Sequence, residues 1–386
     1  MPIVNRVADL HAEITSWRRD LHAHPELLYD VHRTAASVAD RLKSFGCDEV
    51  VTGIGRTGVV GVIRGRKAGA KVVGMRADMD ALPIEEATGL PYKSTVPGKM
   101  HACGHDGHTA MLLGAAKYLA DTRNFAGTAV VIFQPAEEGG AGARAMLQDG
   151  LLDRFGIEEV FGMHNHPGLP VGHFAIRSGP AMASTDTIAI DLEGVGGHAA
   201  WPHEGVDTIL VGAQIVNQLQ SIVSRNVDPL DAAVVSICVF QGGHADNVIP
   251  QHVRLRGTAR SLSAEVRDLL QKRVREVVEG TARLYGAKAE LTYTTGYPVL
   301  VNEERRTAFA AAVAGEIAGT DKIVNGPPRM GAEDFAYMLQ QRPGAFIWLG
   351  NGDSAGLHHP GYDFNDEAIP VGTSYWVRLA ETALAG

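Results

Sequence analysis

Four short apolar runs in this chain each lead into a tip carrying groups that bind metal ions or move protons. Val72 to Met75 runs into Arg76-Ala-Asp-Met-Asp80, Ala129 to Phe133 into Gln134-Pro-Ala-Glu-Glu138, Val160 to Met163 into His164-Asn-His166, and Phe346 to Leu349 is followed by His358. Short β-branched runs of this kind read as buried strands. The small and apolar residues Thr109 to Leu119 have helical spacing, which places the preceding Cys103-Gly-His-Asp-Gly-His108 on a loop entering a helix. Strand, polar tip and helix in repetition is the pattern of an α/β sheet that presents ligands along one edge. Thiolate, imidazole and carboxylate groups would then converge from separate places, as a binuclear metal site requires.

The chain has 386 residues, more than one hydrophobic core normally serves, so two domains are expected. Val7 to Arg19 and Thr34 to Phe45 read as two N-terminal helices, the second stopped by Gly46. The pattern changes near Ser184. Thr185 to Leu192 alternates as a half-exposed strand, Asp207 to Ser224 is helical, and Ala232 to Phe240 and Val253 to Arg260 read as strands. Ala264 to Tyr285 is an amphipathic helix and Ala289 to Thr294 a last strand. That βαββαβ order is ferredoxin-like, and it divides the chain into a discontinuous metal-binding domain, 1–183 and 296–386, with an inserted module at 184–295. The return segment adds helices at Glu303 to Ile317 and Asp334 to Gln340.

The net charge of -9 is spread along the chain without a basic block, which argues against nucleic acid as a partner. Cys47, Cys103 and Cys238 lack the density of a disulfide scaffold, so a reducing compartment fits. Met1 to Ile14 carries Arg6, Asp9, His11 and Glu13 where a signal peptide would be apolar, and no run approaches the roughly 20 residues that span a bilayer. A cytoplasmic protein with no membrane partner is expected.

Cys103 and His105 can offer a thiolate and an imidazole to one metal pair, with Asp106 or Asp80 orienting an imidazole from behind. His108, near the helix start, packs or caps. Glu137 and Glu138 precede Gly139-Gly140, a tight polar tip. One can bind metal while the other takes a proton from metal-bound water and delivers it to a leaving nitrogen; the pair leaves open which does which. His164 and His166 alternate, so one of them faces the site. His358 and His359 pose the same choice.

The segments MRADMDALPI, HACGHDGHTA, FQPAEEGGAGA, GMHNHP, GGHAAWPH, GAEDF and LHHPGYDFND, in this order from about Arg18 to Asp366, resemble those of the M20 metallopeptidases. They are most similar to its amidohydrolase subfamily D, which contains hippurate hydrolases, indole-acetyl-amino-acid hydrolases and N-acyl-amino-acid deacetylases. The resemblance implies a zinc-peptidase-like α/β catalytic domain, a mixed sheet flanked by helices, with the ferredoxin-like insert as lid and dimerisation domain. It implies Cys103, His105, Glu138, His164 and His358 as ligands of two divalent ions, and Glu137 as general base. His198 would reach the partner subunit's site to stabilise the oxyanion, while Asn247 and Arg260 would hold the substrate's α-carboxylate. The wider M20 family has a histidine where this chain has Asp78. That departure favours the subfamily D set, with Asp80 as an orienting residue.

The expected reaction is hydrolysis of an N-acyl-L-amino acid, of hippurate, N-acetyl or indole-acetyl type, to a carboxylic acid and a free amino acid. A dipeptidase or carboxypeptidase on the same site is the alternative enzyme, and a metal-bearing or peptide-binding homologue without catalysis is the alternative class. Mixed thiolate, imidazole and carboxylate ligation suits zinc or manganese, with cobalt and nickel as further candidates. A homodimer is expected from the resemblance, with a tetramer as the other assembly.

Overall fold

The computed structural model describes Val4 to Gly386, so the first three residues of the N-terminal segment lie outside the described residues. The chain divides into two compact units. One comprises Met1–Gly179, Val301–Pro327 and Asp334–Gly386, and the other Pro180–Leu300 with Pro328–Glu333.

The first unit is built on an eight-stranded mixed sheet. Lys67–Asp78 pairs in parallel with Ala126–Gln134 on one side and Glu159–Pro167 on the other, and Glu159–Pro167 pairs in parallel with Gly344–Gly352. The flanking hairpin Glu49–Ile54 and Gly58–Arg64 adds antiparallel strands on one flank, and Phe174–Ile176 and Ile323–Asn325 close the other. Because the central strands run the same way, with Asp78 opposite Gln134 and His164 opposite Trp348, their C-terminal ends share one edge. Val59, Val73, Met75, Val131, Phe133, Phe161 and Ile347 are fully buried, as expected of strands covered on both faces.

Helices Asn5–Asp9 and His11–Ala23 occupy the segment read from sequence as a single helix, and His32–Ser44 follows. Helix His105–Thr122 is buried along most of its length and packs against His11–Ala23 and the C-terminal helix Ile369–Ala383, so it has almost no polar face. It begins at His105, so the hexapeptide is not a loop: His105 to His108 form its first turn. Gly104 makes the early start possible, since it sits at φ 89°, where a side chain would be strained. Strand Glu159–Pro167 likewise runs longer than its apolar core, so His164 lies within it rather than after it.

The second unit carries a four-stranded antiparallel sheet in the order Ala233–Gly242, His252–Ser261, Ser184–Glu193, Lys288–Thr295. Two helices cover it. Asp207 caps Thr208–Arg225 by accepting from Ile209 and Leu210, and Ser263 caps Ala264–Leu284 by accepting from Val266. Each such cap is worth about 1 kcal/mol. Ile188, Ile190 and Leu192 alternate inward from the central strand to meet Val211, Ile215 and Leu219 of one helix and Leu270, Val274 and Val278 of the other. The element order and strand order are those of a ferredoxin-like module. Among the described residues no helix is long and apolar enough to cross a membrane.

Candidate metal centre

At the shared edge of the first unit's sheet, Asp80 joins the tip that follows strand Ala126–Gln134 to the start of helix His105–Thr122. Its carboxylate accepts from the backbone N–H of Glu137 at 2.9 Å and of Glu138 at 3.1 Å. Its backbone carbonyl accepts from His105 Nδ1 at 2.7 Å. That bond fixes the neutral tautomer of His105 and leaves Nε2 as the lone-pair atom. His164 is held the same way, with Nδ1 against its neighbour's carbonyl, Asn165 O, at 2.7 Å and Nε2 facing Cys103 Sγ at 3.4 Å. Two residues on different elements thus present equivalent donor atoms.

The donor atoms fall into overlapping groups. Those of Cys103, His105 and His164 lie within 4.8 Å of one another, as do those of Cys103, Glu138 and His358, and of His105, Glu137 and Glu138. Cys103 is common to the first two. His105 Nε2 is buried without a hydrogen-bond partner and Glu138 Oε1 is buried with only an imidazole nitrogen near it, which is costly unless something else satisfies them. His358 Nε2 stands 3.2 Å from the same Glu138 oxygen, with its side chain half exposed, so the site opens on that side.

Charge tells the same story. Burial works against a protonated His105, yet Asp78, Asp80 and Glu138 outweigh it and push its pKa up to about 10. Burial, reinforced by Glu138 and Glu137, pushes the Cys103 thiol well above its ordinary value. Burial and His108 push His164 well below the usual imidazole range, so it is a neutral donor. The carboxylates that raise both His105 and Cys103 leave the pocket with uncompensated negative charge. A divalent cation compensates it, and the orphaned donor atoms fit one.

Asp78 is occupied elsewhere. Oδ1 accepts from His108 Nδ1 at 2.6 Å and Oδ2 from Arg76 at 2.7 Å. Burial raises its pKa, but His105, Arg76 and His108 together hold it well below the carboxylate range. His108 contacts Asn165 through its other ring nitrogen, and Asn165 Nδ2 donates to the buried Tyr362 hydroxyl. His108 thus ties Asp78 to Asn165 on the neighbouring strand. Gly107 is required because a Cβ there would meet the Phe364 ring at 2.3 Å.

Asp106, the alternative to Asp80 for orienting an imidazole, instead faces Arg18 and His22. Its carboxylate accepts from Arg18 Nε and His22 Nδ1, both at 2.8 Å. Asp80 is the residue behind His105, its backbone carbonyl 2.7 Å and its carboxylate 3.6 Å from Nδ1. Sequence reasoning also missed Asp334 of GAEDF, whose carboxylate accepts from Arg76, Gln134 Nε2 and the Ala143 N–H. Its signal was present in the motif, but nothing in the spacing tied it to Arg76.

Ala136 and His358 adopt left-handed backbone, at φ 55° and 64°. Each costs roughly 1 to 3 kcal/mol in a non-glycine residue and persists only where neighbours enforce it. The Ala136 N–H donates to Leu28 O at 3.1 Å and the His358 N–H to Ala102 O at 2.7 Å. The strained residues adjoin Glu137 and carry a donor imidazole, respectively. His164 is buried where His166 is only half buried, and His358, although exposed like His359, is the one whose Nε2 reaches Glu138, so His164 and His358 are the members of each pair that join the donor groups.

The remaining expected residues belong to the second unit. His198 lies on a two-residue strand, Gly197–His198, paired with Val248–Ile249. It is exposed, accepts from the Ala200 N–H at Nδ1 and stands 4.7 Å from the Trp201 ring. Asn247 is exposed and its carbonyl accepts from the Ala199 N–H, so it shares that loop cluster. Arg260 is half buried on strand His252–Ser261, opposite Val234 and Thr185.

Residues 74–382 match the model for peptidase family M20/M25/M40. The chain is 42% identical to the hippurate hydrolase of Campylobacter jejuni, covering 98% of this chain and 99% of that protein. It is 40% identical to the N-acetylcysteine deacetylase of Bacillus subtilis, covering 97% of each. A solved structure of a dinuclear metal binding M20 peptidase from Bacillus subtilis superposes with a TM-score of 0.85 at 37% identity, over 98% of this chain and 99% of the other.

Proposed function

This chain belongs to peptidase family M20/M25/M40, and from that premise we propose a metal-dependent amidohydrolase that cleaves N-acyl-L-amino acids to a carboxylic acid and a free amino acid. The observation that carries the reading is the pair of donor groups sharing Cys103, with Glu137 beside them. A binding protein would need the donors but not the adjacent carboxylate. The relatives named for hippurate hydrolysis and N-acetylcysteine deacetylation support the substrate class.

We assign Cys103, His105 and His164 to one divalent ion and Cys103, Glu138 and His358 to the other, zinc or manganese before cobalt or nickel. Such ions, when bound, polarise an amide carbonyl and lower the pKa of bound water towards about 7. Glu137 holds the proton released on attack and returns it to the leaving nitrogen. Asp80 sets its position through the backbone bonds to Glu137 and Glu138.

His198, contributed by a second copy of the chain in a homodimer, donates to the oxyanion. With Nδ1 accepting from Ala200, its neutral ring carries the proton on Nε2, the atom left to donate. Asn247 and Arg260 receive the α-carboxylate. Burial lowers the Arg260 pKa, and a desolvated guanidinium is relieved by a carboxylate placed against its fork of donors.

Activity on hippurate, N-acetyl amino acids, indole-acetyl conjugates and dipeptides, measured after reconstitution with each metal, tests the reading. N-acyl amino acids should be turned over well ahead of dipeptides. A preference for dipeptides would move the assignment to a peptidase on the same centre, and no turnover of any amide by the metal-loaded protein would remove it.

A further inference from the structure

The first unit contains a second buried charge cluster that the hydrolytic chemistry does not use. Arg18 is fully buried on helix His11–Ala23. Its Nε donates to Asp106 at 2.8 Å and one terminal nitrogen to Asp363 at 2.6 Å, while the other lies 3.4 Å from Asp366. His22, one turn further along the helix, bonds to the same Asp106 oxygen, and its Nε2 lies 3.3 Å from Glu86. Tyr92 closes the cluster by donating to Asp363 Oδ2 at 2.8 Å.

Asp106 adjoins the donor His105 in the first helical turn. Asp363 stands in the loop that carries His358, the donor with left-handed backbone and a half-exposed side chain. We propose that Arg18 is a positioning residue for the metal centre, one guanidinium locking the His358 loop to the first turn of the His105 helix. A planar fork suits the task because its nitrogens have fixed relative directions, whereas a lysine ammonium on a flexible stem can satisfy one carboxylate without fixing the other. A buried ion cluster contributes little net stability over well-packed apolar groups, so geometry is the better account of its presence. Thr88 adds a hydrogen bond to Glu86, and Ser94 N–H donates to it at 2.6 Å, anchoring the cluster at its far side.

The proposal rests on the reading that Cys103, Glu138 and His358 hold one of two ions. It predicts unequal damage. Arg18→Met should release the ion on the His358 side at roughly 10- to 100-fold lower chelator concentration, the range seen when groups behind a ligand are removed. The ion at Cys103, His105 and His164 should hold as in the wild type.

The experiment is a chelator titration of the full-length Mn²⁺-loaded protein, reading metal content per chain by mass spectrometry beside thermal melting. Wild-type protein comes first: if it does not hold two ions, the metal reading fails, and this inference with it. If it does, Arg18→Met should pass through a plateau of about one ion per chain, Arg18→Lys should fall between, and Asp363→Asn should show the same selective loss by a smaller factor. Equal weakening of both ions along with a lowered melting temperature would mean a merely structural role, and wild-type retention would mean none. If Arg18→Met does not fold, Asp363→Asn decides the matter by the same readout.

Discussion

Cys103, His105 and His164 are buried, and each imidazole among them has its ring fixed by a carbonyl behind it. His198 stands exposed on a two-residue strand, its ring tied to a backbone N–H of its own loop. One region has its geometry set by the fold, with buried carboxylates and an orphaned imidazole nitrogen already in place. The other offers a donor with an assigned tautomer and little to hold it. In the first, the cost of desolvating polar groups is met during folding. In the second, ordering is left to whatever arrives. Damage to the first should therefore appear as lost metal, and damage to the second as lost turnover with metal intact.

The largest expected effect is from Cys103→Ser, because that sulfur belongs to both donor groups. Both ions should be lost on dialysis and amidase activity with them; a variant that keeps two ions would break the contrast at its root. His198→Ala should leave metal content unchanged and lower kcat by on the order of 10² to 10³, the range for one oxyanion donor. Arg260→Met should raise KM for N-acyl amino acids by roughly 10- to 100-fold, since a hydrogen bond to a charged group is worth about 1.5 to 3 kcal/mol. A fall in kcat at constant KM would instead move Arg260 into the chemistry.

The smallest effect is one of pH on stability. Burial works against a charged His22, but Asp106 and Glu86 outweigh it and raise its pKa to about 9. A raised folded-state pKa means that this contribution is fully present below the unfolded value of about 6.5 and is lost as pH rises through about 9. Melting temperature should fall over that window in the wild type and fall less in His22→Gln. A parallel decline in both would show that other groups carry the dependence.

The strand runs and their polar tips made the sheet edge legible, because apolar periodicity and ligand-type residues are local properties of the chain. The apolar spacing begins helix His105–Thr122 only at Thr109, since its first turn is polar and its start depends on Gly104 at positive φ, a backbone property without apolar signature. The strand order, with Lys67–Asp78 between two partners later in sequence, is set by packing and not by local pattern. The groups behind the ligands were harder still. His108, Asn165 and Tyr362 meet across three separate elements, and Arg18 reaches Asp363 across nearly the whole chain. Each residue lies within or beside a recognisable segment, yet which pairs bond is decided only when the elements pack.

The account turns on Glu137 as a proton carrier at a centre it does not itself hold together. Metal content and kcat of Glu137→Gln, measured on the same preparation, test this most directly. Two ions per chain with kcat lowered by roughly 10² to 10⁴ is the predicted result. Near-normal kcat with both ions in place would contradict it.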